Sequence, residues 1–222
     1  MQNKYFGDIH DFYKYFLLKN ISKYKSLGIH WCLIPDDNKS DGNKILTDKE
    51  NKKCLELFDI LKLDKKINNI KQYFSKNVSY YDNLLIDCNN ENEYEEEAFK
   101  KLNKKNILFF DPDNGIEVKS TNKGNMYKYL SFRLIKKFWE NGNSLIIYQH
   151  LDRIKNSLDV KITQLEKILN CERIGNIEII KIKNVYYIFL IQKKDFDLRD
   201  ILADFINHNK EYTMVKPSGI MV

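Results

Sequence analysis

The chain is poor in the features that would assign it quickly. It has four cysteines, at positions 32, 54, 88 and 171, and no pair has the C-x-x-C spacing of a metal site. Cysteines this sparse in 222 residues exclude a disulfide scaffold, and a reducing, cytoplasmic setting is expected. Cys32 lies in an apolar run and reads as a small buried hydrophobe. No apolar run reaches membrane-spanning length, so no membrane partner is expected. The opening Met1-Gln-Asn-Lys-Tyr-Phe-Gly-Asp lacks the apolar segment of a signal peptide. Internal repeats and low-complexity linkers are missing too, and residues 1–222 read as a single α/β domain.

What is there suits a packed core. Hydrophobic residues make up 43% and aromatics 13%, which excludes a disordered chain. The 37 basic and 31 acidic residues give a net charge of +6, spread along the chain. A solvated surface explains that balance about as well as a nucleic-acid partner does.

Helical and strand patterns alternate. Residues 9–25 predict a helix, with Phe12, Tyr15, Phe16, Ile21 and Tyr24 at helical steps and Asp8 or Asp11 in its first turn. Residues 29–34 predict a strand that stops in a dense turn signal over 36–43. Two short helices are expected over 50–62 and 64–75, and a short strand over 83–87. Residues 91–104 run from acidic to basic, which suits the helix dipole. The acids Glu95, Glu96 and Glu97 then read as a solvated face. Strands over 107–110 and 144–149 flank a helix over 126–140. A helix over 158–169, a hairpin of 177–182 with 185–192 through Lys183-Asn184, and a helix over 195–207 follow. This alternation implies a mostly parallel sheet covered on both faces, with an antiparallel hairpin near one edge.

The chemistry-bearing residues gather where strands end. Ile107-Leu-Phe-Phe runs into Asp111-Pro-Asp-Asn-Gly115, and open sheets bind ligands outside the carboxyl ends of their strands. Pro112 stops the strand, and Asn114 and Gly115 tolerate a tight turn. Asp111 and Asp113 can accept from a substrate amine, hold a metal or act as a base. Tyr148-Gln-His150 ends a second apolar strand in the same manner. Gln149 and Arg153 are candidate substrate contacts there, and His150 a candidate base or orienting donor. The loop with Asp36, Asp37 and Gly42 is a third rim segment. Asp111, Asp113 and Glu117-Val-Lys119 also suggest an alternative. Two acids with an acid-x-Lys can hold Mg2+ in a metal-dependent nuclease or phosphodiesterase. Asp8-Ile-His10 also resembles the opening Asp-x-His of calcineurin-like metallophosphoesterases, but the middle motif is absent and a local helix cap is the simpler reading.

Three segments together resemble Rossmann-like methyltransferases, of the ribosomal-RNA N6-adenine and three-Cys-motif partner types. Phe6-Gly-Asp-Ile-His-Asp-Phe-Tyr-Lys14 is similar to their N-terminal Gly-Asn-x-x-Asp-x-x-Lys-His helix. Residues 29–42 stand at their first strand and cofactor loop, and 107–114 at their Asp-Pro-Pro-aromatic motif. The closing hairpin suits the reversed last strand of that fold. The resemblance implies a three-layer Rossmann-like sheet, S-adenosylmethionine as cofactor and nucleic acid as substrate. It implies that Asp111 accepts from the target amine and that Lys14 or His10 reaches the cofactor. Together with the strand-end reading, the expected catalytic residues are Asp111, Asp113, Asn114 and His150, the cofactor contacts His10, Lys14, Asp36, Asp37 and Gly42, and the substrate contacts Lys119, Gln149 and Arg153. The chain departs from the pattern at Asp113, which replaces the second proline, and at Asn114, which replaces the stacking aromatic. The cofactor loop has a single glycine, Gly42. The Gly-Asp start, the Asp-Pro-Asp-Asn-Gly turn and the Tyr-Gln-His strand end also resemble a set of phage- and prophage-type proteins, a likeness that implies no activity.

Overall fold

The computed structural model describes residues 1–36, 45–63, 66–86, 90–118, 121, 124–151 and 157–215, with 173 and 174 described by backbone alone. The strands are β1 (Leu27–His30), β2 (Val78–Tyr81), β3 (Ile107–Phe110), β4 (Ser144–His150), β5 (Ile177–Ile182), β6 (Val185–Leu190) and β7 (Thr213–Met214). The helices are α1 (Ile9–Ser22), α2 (Asp48–Lys53), α3 (Leu55–Leu61), α4 (Glu91–Leu102), α5 (Phe132–Glu140), α6 (Ser157–Leu169), α7 (Arg173–Asn176) and α8 (Leu198–His208).

The described strands form one sheet in the order β2-β1-β3-β4-β6-β5-β7. β2, β1, β3 and β4 pair in parallel, while β6 is antiparallel to β4 and to β5, and β7 is antiparallel to β5. Three parallel and three antiparallel pairings make this a mixed α/β sheet, not a mostly parallel one. The hairpin is the reason. Its second strand, β6, inserts between β4 and β5 instead of lying at an edge.

Alternation along each strand sends side chains to two cores. Ile107 and Phe109 join one cluster with Phe12, Leu17, Leu57 and Leu202, from α1, α3 and α8. Leu108 and Phe110 join the other with Ala98, Leu134 and Leu165, from α4, α5 and α6. Helices therefore cover both faces, as a sheet with buried strands requires.

Local chemistry sets several boundaries. Asp8 caps α1, its Oδ1 accepting from the His10 and Asp11 amides at 2.8 and 3.0 Å. Thr47 and Glu50 form a capping box on α2. Three expectations are corrected. The helix over 50–62 is broken at Cys54, whose extended φ −158° ends α2 and starts α3. The helix over 64–75 is a 3-10 helix, Ile67–Tyr73. The strand pairing with β1 is Val78–Tyr81, not 83–87, and Leu84 and Ile86 are exposed.

Candidate functional site

β1 lies between β2 and β3, and the connections leave it in opposite directions. β1 reaches β2 through α2 and α3 on one face, and β2 reaches β3 through α4 on the other. The carboxyl ends of β1 and β3 therefore flank a topological switch point, where open sheets place ligands. Asp111 sits there, directly after β3.

Its side chain is already engaged. Lys14, from α1, reaches Asp111 Oδ2 at 2.6 Å and Asp11 Oδ1 at 2.5 Å, and all three residues are buried. Burial works to lower the Lys14 pKa, but the two carboxylates outweigh it and hold the ammonium well above its ordinary value. The Asp11 carboxyl is raised by burial, against the pull of Lys14. One lysine serves two acids in a dry setting, and the Met1 ammonium lies beside Asp111.

The first residues of the chain run through the crevice. The Met1 ammonium donates to the Cys32 carbonyl at 2.8 Å and the Asp111 carbonyl at 3.2 Å. Burial lowers its pKa, opposed by Asp111 and Asp113. The Ile34 amide donates to the Met1 carbonyl at 3.0 Å. Gln2 Nε2 reaches both Asp113 oxygens at 3.3 and 3.4 Å, and the Lys4 amide donates to Asp36 Oδ1 at 3.2 Å.

The rest of the rim divides by role. Gln149 is buried, and its Oε1 accepts from the Ile116 amide at 3.0 Å, bracing the turn after β3 against β4. Gly115 has φ +78°, and a Cβ there would lie 2.3 Å from Gln149 Oε1, so this contact requires glycine. Asn114 is exposed, and its amide donates to the Lys128 carbonyl at 2.9 Å. His150 is exposed at the end of β4, its ring edge-on to Tyr148 at 5.0 Å. His10 lies half-buried in the first turn of α1. Glu117 Oε1 accepts from the Phe132 amide at 2.5 Å, at the start of α5. Asp111, Asp113 and Glu117 thus serve different partners. Among the described residues, no three His, Cys, Asp or Glu side chains gather to hold a metal ion. Asp37, Gly42, Lys119 and Arg153 lie outside the described residues.

A second concavity opens on the α4 side of β1. It is a small open cleft lined by His30, Cys32, Glu91, Tyr94, Glu95 and Tyr129, among others. Cys32 has φ +47°, which folds the chain back after β1 so that its amide donates to His30 Nδ1 at 2.9 Å. That bond leaves the His30 proton on Nε2. His30 is packed against Tyr81, Tyr94 and Phe110, with ring centroids 5.1, 5.4 and 5.7 Å away. Burial, aided by the Met1 ammonium, lowers its pKa to about 3, so the imidazole is neutral. Burial also pushes the Cys32 thiol up to about 12, so it is no nucleophile at neutral pH.

Glu96 and Glu97 of α4 are exposed as expected, but Glu95 is not. Glu91 and Glu95 are 8% and 6% exposed, because their i,i+4 spacing puts both on the inward face with Tyr94 and Ala98. Burial raises both carboxyl pKa values; Glu95 adds to the rise at Glu91, where Arg133 opposes it, and at Glu95 Ser131 and Arg133 oppose it. Glu95 accepts from Ser131 Oγ at 2.5 Å and Arg133 Nε at 2.8 Å. The sequence signal for this cleft was the spacing of acids along the buried stripe of α4.

No family model, curated protein or solved structure matches the chain.

Proposed function

We propose that this protein is a methyltransferase-like α/β protein, Rossmann-like in topology, that binds S-adenosylmethionine at the carboxyl ends of β1 and β3 and acts on nucleic acid. The carrying observation is the strand order. A reversed strand, β6, is seated between β4 and β5, and the Asp111 turn ends the strand beside the switch point. That order agrees with the reversed last strand of the methyltransferases the sequence resembles. The donor set suits the cofactor in one respect. Two backbone carbonyls, of Cys32 and Asp111, gather round an ammonium, and S-adenosylmethionine carries both an ammonium and a sulfonium. Bound there, it would supply an electrophilic methyl group.

The chain's own residues have distinct parts in this reading. Lys14 holds the Asp111 carboxylate, so the Asp111 backbone carbonyl is the group left to accept an amine. Gln149 fixes the turn through the Ile116 amide. Asp36 orders residues 1–4 through the Lys4 amide. The net charge of +6 is compatible with a polyanionic substrate.

The test is calorimetric titration with S-adenosylmethionine, on the full chain and on a variant lacking residues 1–3, whose first two fill the crevice. Saturable binding is expected, stronger in the shortened variant. No heat of binding in either protein at millimolar cofactor would sink the reading. A second reading, a binding domain without catalysis, is favoured by the burial of Asp111 against Lys14. It gains if cofactor binds but no labelled methyl reaches RNA or DNA.

A further inference from the structure

The cleft beside α4 contains two features that folding alone does not explain. The first is His30. Its Nδ1 accepts from the Cys32 amide, so Nε2 carries the proton, and that buried N–H has no hydrogen-bond partner among the described residues. A buried donor without an acceptor costs about 1–3 kcal/mol, and such groups call for an explanation. The second is Glu91. It is 8% exposed, lines the open cleft, accepts no hydrogen bond among the described residues and feels Arg133 only through space. A glutamate in the first turn of a helix gains from the dipole while fully solvated, so the dipole does not explain its burial. Glu95, one turn on, is accounted for by Ser131 and Arg133.

These features specify a ligand in complementary terms. Two carboxylates that share one arginine, Arg133, favour a further cation. The His30 Nε2–H requires an acceptor oxygen. A carboxylate or phosphate acceptor is disfavoured beside Glu91 and Glu95, so the oxygen is a neutral hydroxyl or ether. Tyr94, Tyr127 and Tyr129 line the same cleft, and aromatic faces favour cations.

We infer that this cleft binds a small hydroxylated amine, its ammonium against Glu91 and Glu95 and its oxygen on His30 Nε2. The assignment stands independently of the methyltransferase reading, because it uses none of the Asp111 crevice. The amine is a ligand here, with no reaction assigned to it.

The experiment is NMR titration of the full-length protein, with 15N-labelled histidine, by three probes: 2-aminoethanol, propylamine and 1-propanol. Saturable movement of the His30 Nε2–H resonance is expected with 2-aminoethanol. The other two probes, lacking oxygen or charge, should bind about tenfold more weakly, each having lost one charge-assisted or buried hydrogen bond. Glu91→Gln keeps the shape of the side chain and should weaken 2-aminoethanol about tenfold while leaving propanol unchanged. Unfolding midpoints of the variant and the parent serve as the folding control. The inference is overturned if 2-aminoethanol gives no saturable shift. It is also overturned if a folded Glu91→Gln binds it as the parent does, which would mean His30 is satisfied by solvent alone.

Discussion

Replacing Lys14 by methionine removes the only cation that touches both Asp11 and Asp111 in the described structure, at 2.5 and 2.6 Å. Methionine keeps an unbranched side chain, so the loss is mainly electrostatic. An ion pair with charge centres about 4 Å apart interacts by about 4 kcal/mol at an effective dielectric of about 20. Lys14 makes two such pairs, though its own desolvation offsets part of the gain. Removing one partner of a buried pair typically costs about 3–5 kcal/mol, since the remaining charge stays buried. We expect Lys14→Met to fall in that range. With a urea m-value of about 3 kcal/mol/M, the midpoint should drop by about 1–2 M.

The same variant carries a pH signature. The Asp11 carboxyl is already raised by burial, and loss of Lys14 removes the charge that opposes the rise. A carboxyl with a raised folded pKa binds more protons folded than unfolded. Its favourable contribution is therefore present at low pH and lost as pH rises from the unfolded value of 3.8 through the folded one. The deficit of Lys14→Met relative to the parent should thus be smaller at about pH 5 than at about pH 8. Asp111→Asn is the control. It leaves Lys14 paired one-to-one with Asp11 and should cost only about 1–2 kcal/mol. A Lys14→Met loss below about 1 kcal/mol, or an Asp111→Asn loss as large as that of Lys14→Met, would refute the shared-lysine account.

Three further perturbations test neighbouring contacts. Gly115→Ala should lose about 2–4 kcal/mol in urea unfolding, from a Cβ 2.3 Å from Gln149 Oε1 and a left-handed φ of +78°. Combined with Gln149→Ala, its loss should be less than additive, because the clash is gone. Gly7→Ala should be worse than Gly115→Ala by the same assay, since its Cβ would meet the Leu61 backbone carbonyl at 2.4 Å and backbone yields less than a side chain. Asp8→Asn keeps the cap on α1 but removes a carboxyl whose pKa is raised from 3.8 to about 7, by burial first and by Asp11 second. The parent loses stability from this group as pH rises from 3.8 to about 7, so the variant's unfolding midpoints should gain on the parent's across that window.

Much of this architecture was legible in the sequence, for identifiable reasons. β3 and β4 are apolar throughout because both faces are buried, and an uninterrupted apolar run between polar ends marks such strands. The hairpin of β5 and β6 was legible from paired apolar segments around Lys183-Asn184. Its insertion between β4 and β5 was not, since pairing order is a long-range property. β2 was misplaced because 83–87 is the more continuous apolar stretch. Val78-Ser-Tyr-Tyr81 forms the strand instead, with Tyr81 packed on His30 at 5.1 Å. The break between α2 and α3 falls at Cys54, with neither proline nor glycine to announce it.

The strand-end position of Asp111 was legible in the sequence, and the partners of its side chain were not. Asp111 does end a strand beside the switch point, but its carboxylate serves Lys14, which the resemblance had suggested for the cofactor. One signal would have separated these roles. On α1, Asp11 and Lys14 fall in the same three- and four-residue steps as Leu18 and Ile21. On α4, Glu91 and Glu95 fall in step with Tyr94, Ala98 and Leu102. A charged residue on an apolar stripe must be buried when the helix packs, and a buried charge must meet a partner. In α1 the partners, Lys14 and the two acids, are supplied by the fold, so the cluster is complete. In α4, Ser131 and Arg133 complete Glu95, while the described fold supplies no hydrogen-bond donor to Glu91. The two helices therefore obey one rule with different outcomes. Asp11, Lys14 and Asp111 satisfy one another, and the His30 N–H in the cleft lined by Glu91 and Glu95 is where a ligand has something to contribute.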